Sequence, residues 1–383
     1  MLNIVSLLSP VYITLLWAIV LLTNSYRKST PKIVLGVFMS TAFLLYLSHF
    51  FYFTQQFAVY RYFDSIYILC NLSVYPLYHI YVRILTVDPE ISIRKHLKYL
   101  FIPIFIFSLS LVGHFILSKD ETDFYISNVL TGKTNGTGIL LYMKILFISA
   151  RVIFFAQIVF YLIINFKLIK RNNDRLMEFY SNTENRQLNW VQFFNISFAA
   201  TSFASIILAI LGRNVFLNSE FLLLIPSSIF SVLLFSIGLL GNKQKTEKTF
   251  QNHVPLTHES EKLHITFDSQ TAILQGRIID IFEREMIYKT PDLNIWDLCG
   301  RLNTNRTYVS RLINTIYGQN FNQFVNSYRI KHVKVLVESK QKYNNEQLAE
   351  LSGFGSVNSL YRAFQAIEGV SLSKFRSQKN IHE

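Results

Sequence analysis

The chain has 383 residues but only two cysteines, Cys70 in an apolar run and Cys299 in a polar one. Two thiols so differently placed make no disulfide framework, and a reducing compartment is expected for the polar part. Charge is scarce as well. Asp, Glu, Lys and Arg make up 16% of the chain, against about 25% in an ordinary soluble domain. Acids are the scarcer sign, 24 against 37 Lys and Arg, which leaves a net charge of +13. A balance of that sign points to an anionic partner: a phospholipid surface, a nucleic acid, or both. Gly-rich phosphate loops, nucleophile elbows and metal-ligand spacings are missing too, so neither an enzyme nor a cofactor or metal site is expected. The first residues, MLNIVSLLSPVYITLLWAIVLLT, lack a basic leader and a small-residue cleavage site. A retained membrane helix fits them better than a removed signal peptide.

What the chain has in excess is apolar surface: 51% of residues are hydrophobic and 15% aromatic, with charge sparse before residue 240 and dense after it. About 20 mostly apolar residues cross a bilayer as a helix. Seven runs meet that length: 2–23, 33–53, 57–86, 98–118, 139–168, 192–212 and 219–241. The third and fifth are long enough to tilt or to run past the bilayer surface. One set of connectors carries Arg27, Lys28, Lys32, Arg94, Lys95, Lys98, Lys167, Lys170, Arg171, Arg175, Arg186, Lys243, Lys245 and Lys248. The opposite set carries Arg61, Lys119, Lys133 and Arg213. Basic connectors stay in the cytoplasm, so an odd number of crossings puts the N-terminus outside and the C-terminal part inside.

The outside connectors are too short for a folded sensor domain. A stimulus from that side is therefore read by the helices, by the loop at 119–138 or by a membrane partner. Ionisable groups inside a span are costly and are functional candidates for that reason. Arg151 lies deepest, halfway along the fifth run. Asp64 and Arg61 lie near the outer end of the third, His79 and Arg83 near its inner end, and His49 and His114 are weaker cases. The structural alternative is pairing inside the bundle for Arg151 and interfacial capping for the histidines.

Residues 242–268, NKQKTEKTFQNHVPLTHESEKLHITFD, read as a polar linker in which His253, His258 and His264 show no metal-ligand spacing. From Thr271 to Tyr288 the residues Ile273, Leu274, Ile278, Ile281, Phe282 and Met286 follow a helical period, and the helix should stop before Pro291. Its stripe could pack on the following domain or on a second copy.

Beyond it one pattern occurs twice: IWDLCGRLNTNRTYVSRLINTIYG at 295–318 and NEQLAELSGFGSVNSLYRAFQAIEG at 345–369. Each reads as a short amphipathic helix, a tight break and a longer helix. In the first, Ile295, Leu298, Cys299 and Leu302 should pack on Val309, Leu312, Ile313 and Ile316, with Asn305 capping the second helix. In the second, Leu348, Ala349 and Leu351 should pack on Leu360, Phe364 and Ile367. Gly353 and Gly355 allow the turn there, and Ser356 is the cap. Asn305 precedes Arg311 by the same six residues that separate Ser356 from Arg362. The intervening segment 320–338 should bury Phe321, Phe324, Val325, Tyr328 and Leu336 and hold the two units at a fixed separation. Residues 295–383 contain twelve Lys and Arg and six Asp and Glu, a balance that suits phosphate contact.

Residues 290–378 resemble the DNA-binding domain of AraC/XylS-type transcription regulators, through SRLINTIYGQNFNQFVNSYRI, LAELSGFGSVNSLYRAFQ and GVSLSKFR. The resemblance implies two helix–turn–helix units that place successive reading helices in the major groove beside a promoter. Carried over by position, the base-reading residues are Arg306, Thr307, Ser310 and Arg311, then Val357, Asn358, Tyr361 and Arg362; Lys374 is a phosphate-contact candidate and Arg376 a further DNA-binding candidate. Cys299 and Val333 stand where the family usually has alanine. Leu372 replaces the usual proline, which predicts a looser closing turn. The apolar half is similar in architecture to membrane-anchored members of the family.

The expectation is an all-α chain with a seven-helix membrane domain at 1–241, a linker at 242–268, a connecting helix at 269–289 and a double helix–turn–helix domain at 290–383. It would act as a transcription regulator in a bacterial inner membrane, with its C-terminal domain in the cytoplasm. Double-stranded promoter DNA, the bilayer, RNA polymerase, a second copy and a small lipophilic ligand or membrane partner are the partners this implies. Arg151, Asp64 and His79 are the membrane-sensing candidates. Two alternatives stand beside it: a receptor or transporter whose C-terminal domain binds protein, and an anchored regulator released by proteolysis in the linker.

Overall fold

The computed structural model describes residues 2–23, 30–87, 93–184, 186–211, 220–244, 269–339 and 341–380. The chain is all-α, with no strand among the described residues. It divides into two compact units: one made of 1–169 and 189–256, the other of 170–188 and 257–383. The segment 170–188, read from sequence as part of the membrane half, thus belongs with the C-terminal unit.

In the N-terminal unit, α1 (Leu2–Thr23), α2 (Thr30–Phe53), α3 (Asp64–Thr86), α4 (Phe101–Ile116), α5 (Gly138–Phe179), α6 (Asn189–Leu211) and α7 (Glu220–Lys243) follow the apolar runs. Among the described residues six helices are long and apolar enough to cross a membrane: α1, α2, α3, α4 with the residues before it, α5 and α7. The run at 192–212 falls in α6, whose side chains at 204–211 lie outside the described residues. So do Arg27, Lys28, Arg213, Lys245, Lys248 and the linker histidines His253, His258 and His264.

Helix α3 is the centre of the unit, 72% buried against 22–44% for the other five, and packs on both α2 and α4. Leu146 and Ala150 of α5 join Ile68 and Leu72 of α3 and Ile106 of α4 in one apolar cluster. The run at 57–86 is not one helix. The chain turns at Gln55, forms a short helix at Phe57–Tyr60, and starts α3 afresh at Asp64. A carboxylate is favoured at the positive end of a helix, and Arg61, in the break, pairs with Asp123 at 3.2 Å.

Large apolar side chains cover the outside of this unit, Phe115, Val152, Phe203 and Val232 among them. Polar groups meet inside it instead. Ser9 bonds Ser231 at 2.8 Å, Ser65 bonds Ser110 at 2.8 Å, and Asn195 donates to the Leu162 carbonyl at 3.1 Å. An apolar exterior over an interior in which polar groups bond one another is compatible with a hydrocarbon solvent. Close approach between helices also needs small residues, since a Cβ at Gly238 of α7 would collide with the indole of Trp17 in α1.

In the C-terminal unit, α8 (Ser269–Glu283) leads to the two helix pairs. Only the end of its stripe is buried: Ile278, Ile281 and Phe282 are covered, while Ile273 is 57% exposed. Phe282 packs on Phe324 and Tyr328 at 4.8 and 4.9 Å between ring centres, so the stripe is used on the following domain. The helix ends earlier than Pro291 alone requires, at Glu283, and Met286 adopts a left-handed conformation before a turn at Ile287–Lys289.

The helix pairs are α9 (Ile295–Leu302) with α10 (Arg306–Tyr317), and α12 (Asn345–Leu351) with α13 (Val357–Glu368), joined by α11 (Phe321–Glu338) and closed by α14 (Leu372–Asn380). The starts of α9 to α13 are each fixed by a local side chain: Asn294, Asn320, Asn344 and Ser356 form capping boxes and Asn305 accepts from Tyr308 N–H. In the second pair Leu351 and Ile367 are exposed, contrary to the apolar pattern. Helix α12 ends at Leu351, and the turn at Gly353, with φ of +79°, swings Phe354 into the core in its place. A Cβ at Gly353 would strike the Tyr288 carbonyl, so glycine is required there twice over. Leu372 does not loosen the closing turn: it starts α14 and is 2% exposed within the same core. Tyr328 and Leu336 are only half-buried, whereas Arg329 of the same helix is buried at 1% exposure.

Candidate nucleic-acid interface

The two longer helices are built alike. Asn305 Oδ1 accepts from Tyr308 N–H at 3.1 Å at the start of α10, and Ser356 Oγ accepts from Ser359 N–H at 3.1 Å at the start of α13. With equivalent caps, residues at equal offsets point the same way. Val309, Leu312 and Ile313 are buried in the first helix, as are Leu360 and Phe364 in the second. The opposite face of α10 shows Thr307 and Tyr308 exposed, with Arg306, Ser310 and Arg311 half-buried. On α13, Asn358, Tyr361 and Arg362 are exposed, while Val357 packs against the core of the second pair. Tyr308 was not singled out by position, yet at 39% exposure it shares the surface of its helix.

The two candidates in α14 differ. Lys374 is exposed. Arg376 is tied inward, donating to Asn345 Oδ1 at 2.9 Å and to the Tyr343 carbonyl at 2.8 Å. It braces the start of α12 against α14.

Behind the two helices, Arg329 fastens the frame. Its guanidinium donates to the carbonyls of Tyr288 at 2.8 Å and Thr290 at 2.7 Å and to Ser181 Oγ at 3.0 Å. Burial pulls its pKa down to about 9. Burial also raises the Cys299 thiol and takes Tyr328 up to about 12, so both are neutral structural groups at physiological pH.

Sequence reasoning gave no role to the end of α5 and the residues that follow it, which belong to this unit. Phe179 stacks on Trp296, ring centres 5.2 Å apart and planes 11° from parallel. Ser181 N–H donates to the Leu293 carbonyl at 3.0 Å, and Asn322 Nδ2 donates to the Tyr180 and Ser181 carbonyls at 3.1 and 2.8 Å. The segment also reaches both longer helices. The Arg306 guanidinium lies over the Phe179 ring at 4.7 Å. Glu184 pairs with Arg362 at 2.9 Å and accepts a hydrogen bond from Ser356 Oγ. Nothing local in the sequence marks this docking beyond Met177, Phe179 and Tyr180, apolar residues where a solvated loop would carry polar ones.

The membrane-sensing candidates all lie in the N-terminal unit. Asp64 is fully buried, with His114 Nε2 at 3.5 Å. His79 is buried and bonds Asn165 Oδ1 from Nδ1 at 2.7 Å. Arg151 lies 5.7 Å from the centre of the Phe147 ring and lines a cavity of about 300 Å³ together with His49, Asn71, Tyr46, Tyr67 and Ser227. None of the described lining residues is a carboxylate.

Residues 298–378 match a family model described as a helix-turn-helix domain. The C-terminal domain is therefore a DNA-binding helix–turn–helix domain of AraC type, a regulator module rather than an enzyme family. The match starts within α9 and ends within α14, so it spans both helix pairs and the connecting α11. A search of curated proteins and a search of solved structures each found no match.

Proposed function

We propose that the chain is a membrane-bound one-component transcription regulator that binds specific DNA through both helix pairs under control of a signal taken up in the membrane half. The observation that carries this is the correspondence of α10 and α13: each is capped by a side-chain oxygen that accepts from the amide three residues on, and an arginine stands six residues beyond each cap. Arginine in the major groove bonds guanine bidentately and asparagine bonds adenine. Arg306, Thr307, Ser310 and Arg311 then read one groove segment, and Asn358, Tyr361 and Arg362 the next. Val357 sets the second helix on its core, Lys374 contacts phosphate, and Arg376 acts through α12.

Six long apolar helices, apolar outer faces and polar inner contacts support the membrane placement. The basic connectors support a cytoplasmic C-terminal domain in a bacterial inner membrane. The cavity that Arg151 lines is walled mostly by aromatic and aliphatic side chains and suits a small lipophilic molecule.

The purified full chain in lipid nanodiscs should retain a distinct subset of genomic DNA fragments from a random mixture. Retention of every fragment alike, or of none, would favour a protein-binding C-terminal domain instead. A C-terminal reporter active only outside the cell would overturn the topology.

A further inference from the structure

We infer that the segment 179–184 is a built-in competitor for DNA, with Glu184 standing in for a backbone phosphate at the second reading helix. The inference rests on the DNA-binding reading above. Helix N-termini and arginines are the two features with which proteins grip phosphate. Glu184 engages both at once: its carboxylate receives Ser356 Oγ–H at the cap of α13 and pairs with the Arg362 guanidinium at 2.9 Å. The pair is half open to water, with side-chain exposures of 57% for Arg362 and 23% for Glu184, so it can exchange. At the first reading helix the ring of Phe179 covers the Arg306 guanidinium at 4.7 Å. One short segment therefore holds an arginine of each reading helix, while Asn358, Tyr361 and Thr307 stay exposed.

The docking is built rather than incidental. Phe179 is fixed by stacking on Trp296, Tyr180 and Ser181 by Asn322, and Ser181 by the buried Arg329. Asn182 lies so close to Gly355 that a Cβ there would strike its amide. For Arg362 to bond a base edge it must leave Glu184, and a carboxylate kept at the cap would repel the phosphate that takes its place. DNA and segment 179–184 thus exclude each other at α13. Release of the segment frees both arginines together, because Phe179 and Glu184 are five residues apart.

The test measures binding of the full chain in nanodiscs to genomic fragments already retained by the wild type. Glu184→Gln should bind about fivefold more tightly, the factor that corresponds to losing a partly exposed ion pair of about 1 kcal/mol. Glu346→Gln, the same charge change at an exposed residue of α12, should bind like the wild type. The pair Asn182→Cys with Gly355→Cys, once oxidised, should bind far more weakly and recover on reduction, the reduced form controlling for folding. Equal affinity for the oxidised and reduced pair would overturn the inference. So would an unchanged or weakened Glu184→Gln, the latter making Glu184 a positioning residue for Arg362. If the wild type and every variant retained no DNA selectively, the DNA-binding reading itself would fall first.

Discussion

Replacing Arg329 with Met should cost the C-terminal unit about 2–3 kcal/mol. Methionine keeps most of the aliphatic volume, so the loss is one of polar contacts and not of packing. Three close acceptors lose their donor, the Tyr288 carbonyl, the Thr290 carbonyl and Ser181 Oγ, as do the Pro291 carbonyl and Asn326 Oδ1 in longer contacts. A buried acceptor left unpaired costs about 1–3 kcal/mol. Tyr288 is buried and bears that in full, whereas Thr290 is exposed and its carbonyl can turn to water. Against this, the guanidinium no longer has to be stripped of water, a penalty visible in its lowered pKa. The balance leaves a net loss near the upper part of the cost of one buried orphan. Hydrogen exchange of the full chain in nanodiscs should then show amides of α9 and α11 exchanging about 30- to 150-fold faster, at 1.4 kcal/mol per decade. Arg329→Lys should fall between the two, since an ammonium keeps the charge but not the planar fork that spans two carbonyls. Protection in Arg329→Met equal to that of the wild type would refute the idea that this cation fastens the turn at 287–290 to the frame.

Gly238→Val should disrupt the α1–α7 contact, because the new side chain enters the space of Trp17; the thermal midpoint of the purified full chain should fall while Gly276→Val, in open space, leaves α1 and α7 unaffected. His332 is pushed below its ordinary value of 6.5 by burial and by Lys289. Its folded pKa is thus lower than its unfolded one, so its stabilising effect is complete above about pH 6.5 and is lost as pH falls towards the folded value. Urea midpoints of the C-terminal unit should drop between pH 6.5 and 5 in the wild type, and drop less in His332→Phe. Arg151→Met should abolish any response to a small lipophilic effector in a reporter strain while leaving DNA retention by the purified chain intact; a retained response would remove Arg151 from the sensing site.

Much of this was written locally in the chain. Caps at Asn305 and Ser356 act on amides two or three residues away, so side-chain chemistry alone placed the starts of both reading helices. Apolar runs set by bilayer thickness located most of the long helices for the same reason. Where a contact joins distant residues, periodicity carried no information. Arg329 sits in a run that reads as polar, and its buried position comes from carbonyls some forty residues earlier in the chain. Glu184 lies in a connector whose basic residues alone carried a reading, and its partners lie far along the chain at Ser356 and Arg362. Leu351 and Ile367 satisfied a helical stripe, yet the short α12 and the left-handed Gly353 gave their place to Phe354. The break before Asp64 was hidden because apolar residues flank it on both sides.

The most direct measurement is a genome-wide map of the DNA bound in cells by the full chain, wild type against Arg311→Ala/Arg362→Ala. Each bidentate arginine–base contact carries about 1–3 kcal/mol of discrimination. The wild type should therefore occupy a small set of sites sharing two motifs in successive major-groove segments, and the double variant should lose that set while keeping its membrane level and fold. Identical maps for the two proteins, or a map without any common motif, would contradict the account.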